Sequence, residues 1–348
     1  MSSPEKAYSS VFPEASVKTL RQIIEKSRRA GIVTHYDADG DAIGSSLALY
    51  HYLKAKELPE IRVFTPNPYP TFLQWLPGHE VVFLYEDDKE LTGRYLSSCD
   101  LLVFVDFNTL PRLKKMMSVF ENHPAFKVLI DHHPEPDIKA NLVFSDTRPS
   151  STSELIFYLI SKLGDGRLID KPTAENLFTG IMTDTGCFSF NSSQPATWHA
   201  VGQLLQCGID KNRIFSLVYE NYSDSRMRLM GYCLNEKMKI IPEYHAAYIS
   251  LTLQEQEQFN FIPGDSEGFV NLPFSIAGIQ FTAFFIEKND HIKISLRSKG
   301  KIPVNRIAKE HFKGGGHQNA AGGESELPMP AAIEKFISLL PQYENWLQ

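Results

Sequence analysis

The sequence has few of the features that would place it among disulfide-rich, membrane or duplex-binding proteins. Its four cysteines lie far apart without paired spacing, so neither a zinc knuckle nor a disulfide framework is expected. It has no apolar run long enough to span a membrane and no apolar N-terminal segment typical of a signal peptide. Lys and Arg number 35 against 41 Asp and Glu, which gives a net charge of -6. We therefore expect a cytoplasmic protein that binds neither membranes nor long duplex DNA.

The length of 348 residues exceeds what one hydrophobic core usually supports, and this predicts two domains. A content of 43% hydrophobic and 22% charged residues is typical of a globular chain. Helix-like segments give way to strand-like segments from about residue 237 onward. We predict a catalytic domain over residues 1–200, a helical linker over 201–236 and a smaller domain over 237–348.

Alternating apolar and helix-like segments predict an α/β fold for the first domain. Short apolar, β-branched segments that predict strands occupy residues 31–35, 61–65, 81–84, 101–106 and 127–131. Strands apolar on both faces indicate a parallel sheet with helices on both faces. In the last third, strand-like segments at 246–251, 281–286 and 291–296 alternate with helical ones and predict a mixed α/β domain.

A dense group of acidic residues follows the first predicted strand. His35, Asp37, Asp39 and Asp41 lie within seven positions of the chain. In isolation, such a segment is most often a turn rich in Asp and Gly. Its position after a buried strand instead favours a metal site, because dense carboxylates repel one another unless cations neutralise them.

Further acidic and imidazole groups stand at the ends of later elements. Asp106 ends an apolar strand, Asp131, His132 and His133 follow the next, and Asp184 ends a helix-like segment. Each alone is more often a helix cap or turn residue. Their joint occurrence at successive element ends predicts one metal-dependent active site.

These motifs, in this order, resemble those of the DHH phosphoesterase superfamily. The pattern H-x-x-x-D-x-D, the strand-ending Asp, the D-H-H triplet and the later T-D-T-G all occur here, and the chain is similar to the NrnA-like branch. The resemblance covers essentially the whole chain. It implies a DHH domain followed by a DHH-associated C-terminal domain, with the active site in the cleft between them.

The resemblance also implies two divalent cations, most often manganese, with magnesium also compatible. One cation would be held by His35 and Asp39, the other by Asp41, His132 and Asp184, and Asp106 would bridge both.

The same resemblance gives catalytic roles to His133 and Asp131. His133 would face the substrate phosphate or leaving oxygen as a donor, and Asp131 would orient the neighbouring imidazole. Asp37 stands where many relatives carry Asn, and we place it outside the direct ligand set.

The segment from Arg148 to Glu154 carries hydroxyl groups ahead of a predicted helix. The spacing indicates a capping box in which Ser151 or Thr152 binds backbone amides. The resemblance places this segment beside the active site, so that Arg148 or Ser151 is also a candidate for contact with phosphate.

Three consecutive glycines, Gly314, Gly315 and Gly316, precede His317 in the C-terminal domain. Such a run allows either close approach of a ligand phosphate or a mobile linker. The resemblance favours a substrate site in which the three glycines, His317 and Arg297 contact phosphate. Arg297 suits that role because a guanidinium can bind phosphate through two hydrogen bonds.

Aromatic residues of this domain are candidates for stacking against a base. Phe261 and Phe269 are two such candidates, although a phenylalanine more often packs in the core.

The resemblance implies that the protein hydrolyses RNA of two to five nucleotides to mononucleotides. The same site is compatible with removal of the 3′-phosphate of adenosine 3′,5′-bisphosphate, so the expected partners are short RNA oligonucleotides or small nucleotide phosphates. One alternative is a phosphodiesterase for cyclic dinucleotides or their linear products, and another a polyphosphatase or pyrophosphatase. A non-catalytic nucleotide sensor is disfavoured because every expected ligand is present. A homodimer is one assembly consistent with the sequence.

Overall fold

The chain folds into two compact units that divide after Asn221. The computed structural model describes residues 8–346, with side chains described as far as residue 343. No helix within that part of the chain is long and apolar enough to cross a membrane.

The first unit is built around a parallel sheet of six strands in the order β3-β2-β1-β4-β5-β6. Its strands are β1 Arg29–Val33, β2 Glu60–Thr65, β3 Val82–Leu84, β4 Leu101–Val105, β5 Phe126–Asp131 and β6 Leu142–Ser145. Its helices are α1 Glu14–Lys26, α2 Gly40–Ala55, α3 Lys89–Ser97, α4 Thr152–Lys162, α5 Lys171–Asp184, α6 Pro195–Gln206 and α7 Lys211–Tyr219.

Helical cover on both faces follows from the composition of the central strands. All five residues of β4 are buried, so each face of the sheet needs an apolar layer against it. Helices α1, α2, α4 and α5 pack on one face, while α3 and the 3-10 turns of Leu110–Phe120 pack on the other. The predicted parallel sheet with helices on both faces is confirmed.

The strand order brings three loops together at one edge of this sheet. β1 pairs with both β2 and β4, and β4 pairs with β5, all in parallel. The segments after β1, β4 and β5 therefore leave the sheet side by side at its carboxyl edge, where open α/β sheets bind their ligands. These segments contain the acidic and imidazole groups singled out in the sequence.

The second unit holds a mixed sheet in the order β11-β12-β10-β9-β8-β7. Its strands are β7 Lys239–Ile241, β8 Ala246–Leu251, β9 Phe281–Glu287, β10 Ile292–Ser298, β11 Gly315–His317 and β12 Ala320–Ser325. Its helices are α8 Asp224–Tyr232, α9 Leu253–Gln258, α10 Val304–His311 and α11 Met329–Leu339. β8 and β9 run parallel, and the other neighbours are antiparallel. This confirms a smaller domain of mixed α/β type.

The helical linker predicted over residues 201–236 is interrupted. α7 ends at Tyr219, and α8 begins at Asp224 after Ser223, whose hydroxyl accepts a hydrogen bond from the amide of Arg226. The division between the two units falls in this break, so α6 and α7 belong to the first unit and α8 opens the second.

The glycine run forms part of an ordered hairpin rather than a mobile linker. Gly315–His317 forms β11 and pairs with β12. A Cβ on Gly314 would overlap the carbonyl oxygen of Gly322, and one on Gly316, whose φ is 136°, would lie 2.6 Å from the carbonyl oxygen of Ala320. The lack of side chains thus allows close contact with the neighbouring strand.

This packing predicts different effects of alanine at two adjacent glycines. Gly314→Ala should destabilise the protein by roughly 1–3 kcal/mol, because the methyl group meets backbone atoms that cannot move aside easily. Gly315→Ala should change stability by less than about 0.5 kcal/mol, since no atom lies within 4 Å of its added Cβ. Urea unfolding of the two variants beside the native protein measures both. Equal loss in the two variants would contradict this account of the hairpin.

Candidate metal centre

Two glycines bring the helices of the site into backbone contact. A Cβ on Gly44 of α2 would lie 2.6 Å from the carbonyl oxygen of Asn176 in α5. A Cβ on Gly180 of α5 would lie 2.7 Å from Oδ1 of Asp41. Because neither glycine has a side chain, the start of α2 and the end of α5 approach closely, and Asp41 comes near Asp184.

The first group of candidate ligands consists of His35, Asp39 and Asp106. Asp39 caps α2, and its carboxylate accepts the amides of Asp41 and Ala42, so the helix begins at Gly40. His35 Nδ1 lies 2.8 Å from the carbonyl oxygen of Tyr36 and must donate to it. This bond leaves the lone pair of His35 on Nε2.

That nitrogen provides a direct test of whether the site fits a metal. His35 Nε2 is buried and has no hydrogen-bond partner among the described residues. The nearest carboxylate oxygen in an ion pair, Oδ2 of Asp106, is 3.6 Å away. A buried, unsatisfied lone pair aimed at carboxylates is the arrangement expected of a metal ligand.

The second group consists of Asp41, His132 and Asp184. His132 Nε2 lies 3.5 Å from Oδ2 of Asp184, 3.6 Å from Oδ1 of Asp106 and 3.9 Å from Oδ2 of Asp41. Its Nδ1 faces the carbonyl oxygen of Pro149 at 3.4 Å. Ligands about 2.1 Å from a shared ion lie roughly 3–4 Å apart, so these spacings fit a bound divalent cation.

The start of α4 holds two of these carboxylates in place. The amides of Thr152 and Ser153 donate to the two carboxylate oxygens of Asp41 at 2.7 and 2.9 Å. The hydroxyl of Thr152 donates to Oδ1 of Asp106 at 2.8 Å. Ser151, which is fully buried, caps the helix by accepting the amide of Glu154, as the spacing predicted. The Glu154 carboxylate accepts the amide of Ser150 rather than that of Ser151, so the reciprocal bond of a capping box is not formed. The helix terminus therefore positions Asp41 and Asp106.

Burial and crowding disfavour the charged forms of the ligands. Burial, followed by repulsion from Asp106, raises the pKa of Asp41 well above its usual value. Burial, followed by repulsion from Asp39, does the same to the pKa of Asp106. Burial and the nearby Arg112 lower the pKa of His35 to about 4, so its imidazole is neutral at pH 7. The carboxylates need a cation nearby to remain ionised, and the neutral imidazole can bind that cation through its lone pair. The centre can therefore hold divalent cations.

His133 sits between a carboxylate and a guanidinium. Its Nδ1 lies 2.8 Å from Oδ1 of Asp131, and its Nε2 lies 3.1 Å from Nη1 of Arg112. Because arginine only donates, Nε2 accepts this bond and Nδ1 donates to Asp131. Asp131 thus orients His133, and both ring nitrogens of His133 are engaged. Arg112 is a nearby group that has N–H protons to donate to a phosphate.

Arg112 was not predicted from the sequence. It lies in the 3-10 turns after β4, six residues beyond Asp106. Its backbone carbonyl also accepts the amide of Tyr36, which ties the two loops together. A basic residue closely following the strand-ending Asp was the only available signal in the sequence.

Two predicted neighbours of the centre have partners of their own. The carboxylate of Asp37 accepts a hydrogen bond from Nδ2 of Asn67, and the backbone amide of Asp37 donates to Oδ1 of the same residue. Arg148 donates from Nε to Asp146 at 2.8 Å and from Nη2 to the hydroxyl of Ser10. The guanidinium of Arg148 is therefore paired with a carboxylate.

In the second unit, Arg297 and His317 lie on one row across the sheet. Arg297 of β10 is opposite Ala320 of β12, and Ala320 is in turn opposite His317 of β11. Residues directly opposite one another project from the same face, so the small Ala320 separates a guanidinium from an imidazole. Phe269, a candidate for base stacking, is instead 1% exposed and packs in the core, with Phe261 against it.

Comparison with known proteins identifies the family. The model of the DHH family N-terminal domain matches residues 29–181, and that of the DHHA1 domain matches residues 243–345. The chain is 30% identical over 295 residues to the bifunctional oligoribonuclease and PAP phosphatase NrnA of Bacillus subtilis, covering 83% of this chain and 86% of that protein. The chain belongs to the DHH family.

Two further members differ in what their names describe. The crystal structure of an exopolyphosphatase-related protein from Bacteroides fragilis is 43% identical, has a TM-score of 0.90, and covers 96% of this chain and 98% of that one. The cyclic-di-AMP phosphodiesterase GdpP of Bacillus subtilis is 26% identical over 345 residues, covering 93% of this chain and 49% of that protein. Proteins similar to this chain are therefore named for different phosphate substrates.

The raised carboxyl pKa values predict that metal stabilises the protein more at high pH. Burial raises the pKa of Asp131 to about 7, and those of Asp41 and Asp106 are also raised. A carboxyl whose pKa is raised by folding favours the folded state at low pH, and this contribution is lost as pH rises through the folded pKa. Chelator-treated protein should therefore be less stable at pH 8 than at pH 5.5.

Added manganese should raise the melting temperature more at pH 8 than at pH 5.5, because fewer protons then compete for the ligands. At a hundred times its dissociation constant, a metal contributes about 2.7 kcal/mol per site. Calorimetric melting of native protein and of Asp106→Asn, with and without manganese, measures this. The variant should lose most of the metal-dependent shift. An equal shift at both pH values would contradict the proton competition.

Proposed function

We propose that this DHH protein is a two-metal phosphodiesterase that hydrolyses RNA of about two to five nucleotides to mononucleotides. The observation that carries the proposal is the presence of two ligand groups near Asp106. The alignment of this chain with 86% of an oligoribonuclease and PAP phosphatase supports the choice of substrate. The same site would remove the 3′-phosphate of adenosine 3′,5′-bisphosphate, since both reactions break a phosphoester bond.

Two cations fit the ligand groups described above. His35 and Asp39 would hold one, Asp41, His132 and Asp184 the other, and Asp106 would bridge them. Divalent cations held there would supply neutralisation of charge on the phosphoryl group and activation of a water molecule. Manganese is the metal we propose, because mixed imidazole and carboxylate ligands suit it, and magnesium is the second choice.

The protein's own contribution is to position groups around the phosphate. The amides of Thr152 and Ser153 fix Asp41, and Asp131 fixes the ring of His133. Arg112 reaches the edge of the same ring and carries the positive charge that a phosphoryl oxygen attracts. In this proposal, Arg112 binds the scissile phosphate while His133 stays oriented beside it.

Arg297, His317 and the glycine hairpin are proposed to bind a second phosphate of the substrate. Their support is the row that places Arg297 and His317 on one face of the sheet. Arg148 and Ser151 have weaker support for that role, because the guanidinium of Arg148 pairs with Asp146 and the Ser151 hydroxyl caps α4.

Polyphosphate is the second candidate substrate. The relative described as exopolyphosphatase-related is 43% identical to this chain over nearly its whole length. Cyclic dinucleotides have support from a 26% identical relative, of whose length the chain covers 49%. The net charge of -6 argues mildly against a polyphosphate, which needs many cationic contacts.

Product analysis separates these substrates. Native protein with manganese should cleave labelled RNA of two and five nucleotides rapidly, spare RNA of twenty-four nucleotides, and act weakly on polyphosphate and a cyclic dinucleotide. Asp106→Asn should lose activity by at least about a hundredfold, because it removes the carboxylate proposed to serve both cations. Faster hydrolysis of polyphosphate or of the cyclic dinucleotide than of any RNA would overturn the substrate assignment.

Loss of Arg112 should weaken catalysis without unfolding the protein. Arg112→Ala should lower kcat/KM on a dinucleotide by roughly 10- to 100-fold, the range for losing a charged hydrogen bond. Arg112→Lys keeps the positive charge but lacks the planar guanidinium, so its kcat/KM should lie between those of Arg112→Ala and the native protein. Metal-dependent stabilisation should remain in both variants. Unchanged kcat/KM in Arg112→Ala would exclude contact with the phosphate.

A further inference from the structure

Phe190 is an exposed aromatic ring in the loop that follows Asp184. It is 44% exposed, in contrast to Phe269, the buried candidate of the second unit. A single exposed apolar residue is common on protein surfaces and needs no explanation by itself. Phe190 differs from such residues in the backbone conformation and the contacts of the loop that carries it.

The loop from Gly186 to Asn191 has an unusual backbone. Gly186, Cys187, Phe188 and Asn191 all have positive φ values, of 52°, 54°, 65° and 49°. Such values are rare for residues with a side chain, and especially for a phenylalanine. Strain of this kind persists only where surrounding contacts fix it, and it is concentrated at functional sites.

Several hydrogen bonds fix the loop next to the metal centre. The amides of Ser189 and Phe190 donate to the carbonyl oxygen of Thr185 at 2.9 and 3.1 Å. Asn191 Nδ2 donates to the carbonyl oxygen of Ser150, in the segment leading into the start of α4. The loop is thus tied to the same segments that place Asp184 and Asp41.

Contacts between aromatic rings also support the loop. Phe188 packs between Phe178 of α5 and Trp198 of α6, with ring centroids 6.0 and 5.1 Å apart. Trp198 Nε1 donates to the carbonyl oxygen of Ser192 at 2.8 Å. These contacts hold Phe188 inward and leave Phe190 as the aromatic side chain that this loop presents outward.

Phe190 lies over a glycine close to a candidate ligand. A Cβ on Gly186 would overlap the ring of Phe190. The Cα atoms of Gly186 and Asp184 are at most about 7 Å apart along the chain. The exposed ring therefore packs close to the end of α5 that carries Asp184.

We propose that Phe190 is a platform on which one base of the substrate stacks. The inference rests on the proposed nucleotide substrate and adds a specificity-determining contact in the first unit. The fixed loop presents the ring already ordered, so little conformational entropy is lost when a base binds. Any base can stack on a ring, so Phe190 would select for nucleotides over base-free phosphates without selecting a base.

Binding of AMP and of ribose 5-phosphate to the manganese-loaded protein tests this contact without catalysis. Native protein should bind AMP about 5- to 150-fold more tightly than ribose 5-phosphate, the range that stacking of one base supplies. Phe190→Leu keeps the apolar bulk but removes the ring and should lose most of this preference. Phe190→Tyr should retain it.

One further variant serves as a control, and another tests the position of the ring. Leu205→Ala changes an exposed leucine of α6 outside the loop and should leave the preference unchanged. Gly186→Ala should reduce the preference, because the new methyl group displaces the ring of Phe190. Circular dichroism and the metal-dependent melting shift verify that each variant is folded. Retention of the native preference in Phe190→Leu would overturn the inference.

Cleavage of a dinucleotide by the same preparations separates this inference from the proposed function. If native protein cleaves the dinucleotide and Phe190→Leu keeps the native preference for AMP, the function stands and the stacking contact is refuted. If native protein cleaves no dinucleotide but its preference for AMP depends on Phe190, the contact stands and the oligonucleotide substrate is refuted.

Discussion

The repulsion among buried carboxylates is the constraint on which the first unit depends. Asp41 and Asp106 are buried, and Asp39 and Asp184 lie partly buried beside them at the carboxyl edge of the parallel sheet. Like charges at such distances cannot all remain ionised in a buried site without cations or donors around them. The surrounding structure supplies donors to some of the oxygens and leaves room for cations at the others.

Regular elements provide these donors at fixed positions. The backbone amides that begin α2 bind Asp39, and those that begin α4 bind Asp41. Helix N-termini attract negative charge, so ends that would otherwise carry unsatisfied amides stabilise the ligand set. The two imidazoles use carbonyl oxygens for their Nδ1 protons and point Nε2 at the carboxylates. The same contacts therefore satisfy the backbone and orient the ligands.

The sequence was most informative where local pattern and site coincide. His35, Asp106 and His132 follow buried apolar strands, so both the sheet and the side chains gathered at its edge could be predicted. Arg112 and Phe190 could not, because their positions depend on irregular segments whose conformation is set by distant contacts such as the bond from Asn191 to Ser150. β11 and β12 were missed because a strand made largely of glycine and alanine lacks the β-branched residues typical of strands.

The contact between α2 and α5 at Gly44 and Gly180 has a consequence for the choice of ion. Where side chains separate two helices, rotamer changes can widen or narrow the gap between them. Here main-chain atoms already touch, so the spacing of Asp41 and Asp184 has little freedom to adapt. Calcium prefers oxygen ligands at about 2.3–2.6 Å and a larger coordination shell than magnesium, whose distances are near 2.1 Å. The glycine contact should therefore make the site discriminate between cations by ionic radius.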